Sequence, residues 1–167
     1  MPNETCLEEL EQRIKELEQD NIKHKRVEKK LQESESKYRY IINNFNEGFY
    51  SVTLDGMVQD HNIEFMRILG LDLNMDAKGL ELIGFWVNPE KREFYIDELL
   101  KNGFIKDYEI NAKKSNGEII VIQTNSRLIR DKHETPLRIE GSFLDVTDRI
   151  NAEKALAESE DENSQNN

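Results

Sequence analysis

Hydrophobic residues near the start of the chain recur at helical spacing. Leu7, Leu10, Ile14 and Leu17 follow at intervals of three and four, in a stretch from residue 4 to 37 that has no Gly or Pro. That spacing predicts a coiled-coil helix over residues 4–35, pairing two copies of the chain through residues 7–31. The seam passes through two polar positions, Asn21 and His24, and resumes one residue early at Val27, Leu31 and Tyr38. Such a stammer overwinds a supercoil locally, and an asparagine on the seam selects one register. The competing reading is a single solvated helix lying on its own domain.

The pattern changes after Tyr38. Tyr38, Ile41, Ile42 and Phe45 make a short amphipathic face, and Gly48–Leu54 then reads as a strand. Asp55-Gly56 turns the chain into a return strand over Met57–His61. Asn62 caps a short helix carrying Phe65, Met66, Ile68 and Leu69, which Gly70 stops. Residues 71–87 are short turns or helical pieces rich in apolar side chains. Asn88-Pro89-Glu90 opens a longer helix bearing Phe94, Tyr95, Leu99 and Leu100, and Asn102-Gly103 closes it. A strand follows through Phe104, Ile105, Tyr108, Ile110 and Ala112. The Asn116-Gly117 turn leads to a second over Ile119–Ile129, and Pro136 opens a third through Leu137, Ile139, Gly141 and Phe143. These three pair most simply as an antiparallel meander. After Asp145-Val146-Thr147-Asp148-Arg149 the chain turns helical, with Ile150, Glu153 and Ala157, or Ala152, Ala155 and Ser159, as a narrow seam. Five antiparallel strands with helices inserted after the second make an α+β pattern.

Charge narrows the partners. The 167 residues carry a net charge of -11, with 10 acids against 8 bases in residues 1–37 and 7 against 2 in residues 145–167. No basic footprint for nucleic acid is present. The single cysteine, Cys6, builds neither a disulfide nor a thiolate metal site, so a reducing, cytoplasmic setting is expected. The N-terminus lacks an apolar signal region, and no run suits membrane insertion. No catalytic triad order, metal spacing or phosphate loop appears, so an enzyme is not expected. Lys132-His133-Glu134-Thr135-Pro136-Leu137 looks superficially like the phosphoacceptor box of histidine kinases, but it lacks two residues and falls in a hairpin turn before a strand.

Eight stretches, in order, carry a family resemblance: Tyr38–Ile42, Thr53–Gly56, Asn62–Leu69, Asn88–Arg92, Ser115-Asn116-Gly117, Leu128–Asp131, Pro136-Leu137 and Asp145–Arg149. From Ser36 to Arg149 the chain resembles a PAS domain of the bacterial sensory-box type. The last stretch is similar to the Asp-Ile-Thr signature at the PAS exit, with Val146 in place of isoleucine. The resemblance implies a five-stranded antiparallel sheet cupping a cavity against short helices. It also implies flanking coiled coils that join protomers and pass signals. The organisation is then a coiled-coil helix over 4–35, a PAS domain over 36–147, a signalling helix over 148–159 and a disordered tail over 160–167.

Strand alternation puts Tyr108, Ile110 and Ala112 on one face of their strand, Ile120, Ile122, Thr124, Ser126 and Leu128 on one face of the next, and Ile139, Gly141 and Phe143 on one face of the last. On the PAS pattern these face the helices. The candidate pocket is therefore Phe65, Leu69, Phe94, Tyr108, Ile110, Ile122, Thr124, Ser126, Ile139 and Phe143. A filled core in which the hydroxyls bond to backbone is the plain alternative. Flavin-linking relatives carry a cysteine in the segment that here reads Gly79-Leu80-Glu81-Leu82-Ile83-Gly84-Phe85, and haem-binding relatives place a histidine on the long helix, where residues 89–102 have none. No cofactor is expected, a non-covalent flavin being the remaining option and haem the weaker one. Asp145 and Thr147 form the expected signal junction, with Thr147 capping the exit helix. The functional expectation is a homodimeric sensory module that relays a small ligand or partner to a signalling protein such as a histidine kinase. The alternatives are a structural dimerisation module with a filled core, or the sensor fragment of a PAS-containing kinase.

Overall fold

The structure, a computed structural model, describes residues 2–165 and the side chains of residues 9–160. The chain divides into two compact units, Met1–Ile41 and Ile42–Asn167. The first is most of helix α1, which spans Pro2–Asn43 and so continues beyond the expected boundary at 35. Leu10, Ile14, Leu17, Val27 and Leu31 are exposed along it, while the side chains of Cys6 and Leu7 lie outside the described residues. No described helix is long and apolar enough to cross a membrane.

The second unit holds a five-stranded sheet: β1 Gly48–Val52, β2 Val58–His61, β3 Phe104–Lys113, β4 Ile119–Arg130 and β5 Pro136–Asp145. Its order is β2-β1-β5-β4-β3, antiparallel throughout. The long return from β2 to β3 carries α2 (Ile63–Ile68), a 3-10 turn over Ile83–Phe85 and α3 (Pro89–Asn102). These pieces cover one face of the sheet, and the core lies between them, with Phe65, Met66, Leu99 and Ile120 among its most deeply buried side chains.

The turns form where local chemistry requires them. Asn88 Oδ1 accepts from the Glu90 and Lys91 amides, and Gly103 ends α3 in the left-handed region at φ 79°. The 131–135 hairpin is held by Asp131 Oδ1, which accepts from the His133 and Thr135 amides; the phosphoacceptor-like stretch is therefore a turn entering β5. In β3 a bulge between Ile105 and Tyr108 puts Asp107 at φ 52°, and its amide donates to Asn125 Oδ1. The extra residue shifts the alternation, so Ile105, Tyr108, Ile110 and Ala112 can all turn inward.

Asn62 does more than cap α2. Its Oδ1 accepts from the Phe49 and Phe65 amides, both at 2.9 Å, and its Nδ2 donates to the carbonyls of Ile42 and Glu47 at 2.9 and 2.8 Å. One buried side chain thus ties the end of α1, the start of β1 and the start of α2 together.

Exit helix α4 spans Thr147–Gln165, past residue 159 where composition placed its end. No glycine or proline interrupts residues 147–165, so no local signal stops the helix. Asn166 and Asn167, the end of the expected disordered tail, lie outside the described residues.

Candidate ligand cavity and its link to the exit helix

Between the inward sheet face and the helices lies a cavity of about 80 Å3. Of the pocket residues expected from sequence, Leu69, Ile110, Ile122, Thr124, Ile139 and Phe143 line it. The other four lie elsewhere. Phe65 is fully buried in the core beneath it, its ring 5.7 Å from that of Phe143. Tyr108 packs its ring 5.4 Å from Tyr95, and Ser126 is buried in a hydroxyl cluster beside the cavity. Phe94 requires a correction: it is 78% exposed and takes no part in the cavity. On α3, Arg92, Tyr95, Ile96 and Leu99 follow helical spacing and turn inward, which rotates Phe94 out to solvent.

Several wall residues escaped the sequence reading: Tyr50 and Val52 of β1, Leu82, Phe85 and Trp86 of the connecting segment, and Arg92 and Tyr95 of α3. The spacing of Arg92 with Tyr95 and Ile96 is a signal that could have found it, because it sets a cation on an apolar helix face.

Four hydroxyls close one side. Tyr50 Oη lies 3.1 Å from Tyr95 Oη, 3.1 Å from Thr124 Oγ1 and 2.5 Å from Ser126 Oγ. Tyr95 donates to Ser126, and Thr124 donates to the Ser142 carbonyl at 3.0 Å. That leaves Ser126 and Tyr50 to carry the remaining protons around the cluster, so each buried oxygen has a partner. Burial, and then neighbouring Tyr50, hold the Tyr95 hydroxyl well above its ordinary pKa. Gly141 makes room for this arrangement: a Cβ there would stand 2.8 Å from Tyr50 Oη and 2.9 Å from its Cζ.

Thr53, Gly56 and Arg92 also line the cavity. Arg92 Nη2 donates to the Leu54 carbonyl at 3.2 Å. The Thr53 hydroxyl and a backbone amide hold the exposed Asp55 carboxyl below its ordinary pKa, with a weaker pull from Arg92.

The cavity wall connects to α4 through β5. Phe143 lines the cavity, and two residues later Asp145 Oδ1 accepts from the Thr147 amide at 3.0 Å and from its hydroxyl at 2.5 Å. Thr147 Oγ1 in turn accepts from the Val121 amide of β4 at 2.9 Å, and the Val146 amide donates to the Val121 carbonyl at 2.9 Å. The sequence placed Thr147 as the helix cap; in the structure Asp145 holds the first turn, and the Thr147 hydroxyl ties it to the sheet. Beyond the junction, Ile150, Glu153 and Ala157 share a groove with Asn111 and Val121.

No protein-family model matches this chain, and no curated protein matches it. Solved structures do. A sensory box histidine kinase/response regulator structure from Burkholderia thailandensis superposes at TM-score 0.61 and 20% identity, covering 77% of this chain and 98% of that one. The PAS domain of a Colwellia psychrerythraea protein superposes at TM-score 0.59 and 16% identity, covering 68% and 97%. A LOV protein from Rhodobacter sphaeroides superposes at TM-score 0.57 and 18% identity, covering 75% and 74%. With the 2-1-5-4-3 sheet, the helical connection over its inner face and the Asp145-Val146-Thr147 junction already in place, these likenesses make the architecture plain: the chain has the PAS fold.

Proposed function

We propose that this protein is a sensory signalling module in which occupancy of the cavity is passed to α4 through the β5 junction. The observation that carries the reading is continuity. Phe143 lines the cavity, and Asp145, two residues on, fixes the first turn of α4, which Thr147 fastens to β4. Movement of either strand therefore changes the hydrogen bonds that start the helix. A wholly filled core would have no room for a ligand, and the cavity of about 80 Å3 favours the sensory reading over a purely structural one.

The rest of the reading follows from the chain. The exposed stripe Leu10–Leu31 on α1 supports homodimerisation through residues 7–31, in a cytoplasmic protein. The output is a signalling partner such as a histidine kinase, or a kinase segment of which this chain is the sensor piece; the likeness to a sensory box histidine kinase/response regulator supports that setting. Catalysis lies outside these residues. The reading invokes no cofactor: the cavity wall contains neither a histidine for haem nor a cysteine for flavin linkage, and non-covalent flavin is the remaining option.

Xenon enters dry apolar cavities without regard to chemical class, which makes it a direct test. Under xenon pressure, NMR methyl signals of Ile110, Ile122 and Ile139 should shift, together with the amides of residues 146–150. Shifts confined to the cavity wall would mark a passive core and overturn the reading.

A further inference from the structure

Arg92 is the only charged residue in the cavity wall among the described residues. It sits on the inward face of α3, half-buried, and Gly56 at φ 94° lies against its guanidinium, where a Cβ would stand 3.1 Å from Nη2. A guanidinium has five donors. One is used, on the Leu54 carbonyl; Arg92 makes no ion-pair contact among the described residues, and its pull on the exposed Asp55 carboxyl is weak. The remaining walls are apolar apart from Thr53 and the hydroxyls of Tyr50, Tyr95 and Thr124, which are already taken up within their cluster and by backbone. A half-buried guanidinium whose remaining donors are not taken up by protein groups, beside an apolar cavity, offers a carboxylate a charge-assisted pairing site.

We propose that the cavity takes a small aliphatic monocarboxylate, its carboxylate paired with the Arg92 fork and its chain lying among Leu82, Phe85, Ile110 and Ile139. This rests on the sensory reading and names its ligand class. The planar guanidinium matches a carboxylate with two parallel hydrogen bonds. One cation serves one carboxylate, and the apolar walls exclude a second charge. The cavity of about 80 Å3 is smaller than the ~150 Å3 that accepts benzene, which favours a short chain.

The test is calorimetric titration of the full chain with butyrate and with 1-butanol, which shares the chain and lacks the charge. Wild type should bind butyrate about tenfold more tightly than butanol, the scale of one charge-assisted hydrogen-bonded pair. Arg92→Leu should lose that preference, and Arg92→Lys should keep part of it. Butanol binding as tightly as butyrate, no butyrate binding at all, or an Arg92→Leu protein that still prefers butyrate would each overturn the proposal. Should Arg92→Leu fail to fold, the wild-type comparison decides alone. Xenon shifts at residues 146–150 without a butyrate preference would overturn this ligand class and leave the sensory reading standing. A butyrate preference without those shifts would do the reverse.

Discussion

Tyr95 shows how one side chain ties the cavity to the stability of the domain. Its hydroxyl donates to Ser126 and neighbours Tyr50, all within a buried cluster. Its folded-state pKa is raised, chiefly by burial. The stabilisation is therefore complete below the unfolded tyrosine value near ~10, and is lost as pH rises from there towards the folded value. Wild type should lose up to about 1.4 kcal/mol per pH unit above pH ~10 from this group. Urea melts across that range should show a shallower loss in Tyr95→Phe, at a cost of about 1 kcal/mol at neutral pH for the lost hydrogen bond. A wild-type-like alkaline slope in the variant would mean that Tyr95 does not stay neutral when buried. Thr124 and Ser126 were legible from strand alternation, because period two places them with Ile122 and Leu128 on one face. Tyr50 and Tyr95 were not, since they come from β1 and α3, and no local pattern says that two such distant residues meet. Phe94 misled because adjacent aromatics on a helix leave its phase open until Leu99 and Ile96 settle it.

Among the elements, the two joints carry the most testable content. At the exit, Asp145→Ala removes the acceptor for the Thr147 amide and hydroxyl, while Asp145 itself is exposed and buries no apolar surface. The expected cost is about 1 kcal/mol, the scale of a helix cap. Amide exchange should quicken over residues 147–157 while residues 119–129 stay protected; loss of both together would make Asp145 a determinant of the core. At the entry, Asn62→Ala leaves two amides and two carbonyls without their partner. Denaturant melts should show a loss of about 1–3 kcal/mol, the cost of one buried unsatisfied group, since only the Phe65 bond is buried and the other three are part-buried. A loss below 1 kcal/mol would show that water replaces the amide. Most elements could be read from sequence because their boundaries are local: Asn88-Pro89, Asn102-Gly103 and Asn116-Gly117 act within a few residues. The β3 bulge could not, because it depends on Asn125 of the neighbouring strand. The second role of Asn62 was hidden for the same reason, its partners at Ile42 and Glu47 being fifteen to twenty residues away.

The whole molecule pairs a helix that carries an exposed apolar stripe with a domain that has a small cavity and a fastened exit. Light scattering should find the full chain dimeric and a deletion of residues 1–33 monomeric, because Leu10, Ile14, Leu17, Val27 and Leu31 are then lost. A monomer in both would remove the dimer from the account. The central claim is that the cavity reports to α4 through Asp145. Ala112, buried on β3 in the cavity wall, offers a way to fill the space permanently, at an overpacking cost of about 1–3 kcal/mol or less where the added methyls meet a void. The most direct measurement is amide exchange over residues 147–157 in wild type, Ala112→Leu, Asp145→Ala and the double variant. Filling the cavity should change exchange in this segment when Asp145 is present and have little further effect when it is absent. The same change in both backgrounds, or no change in either, would contradict it.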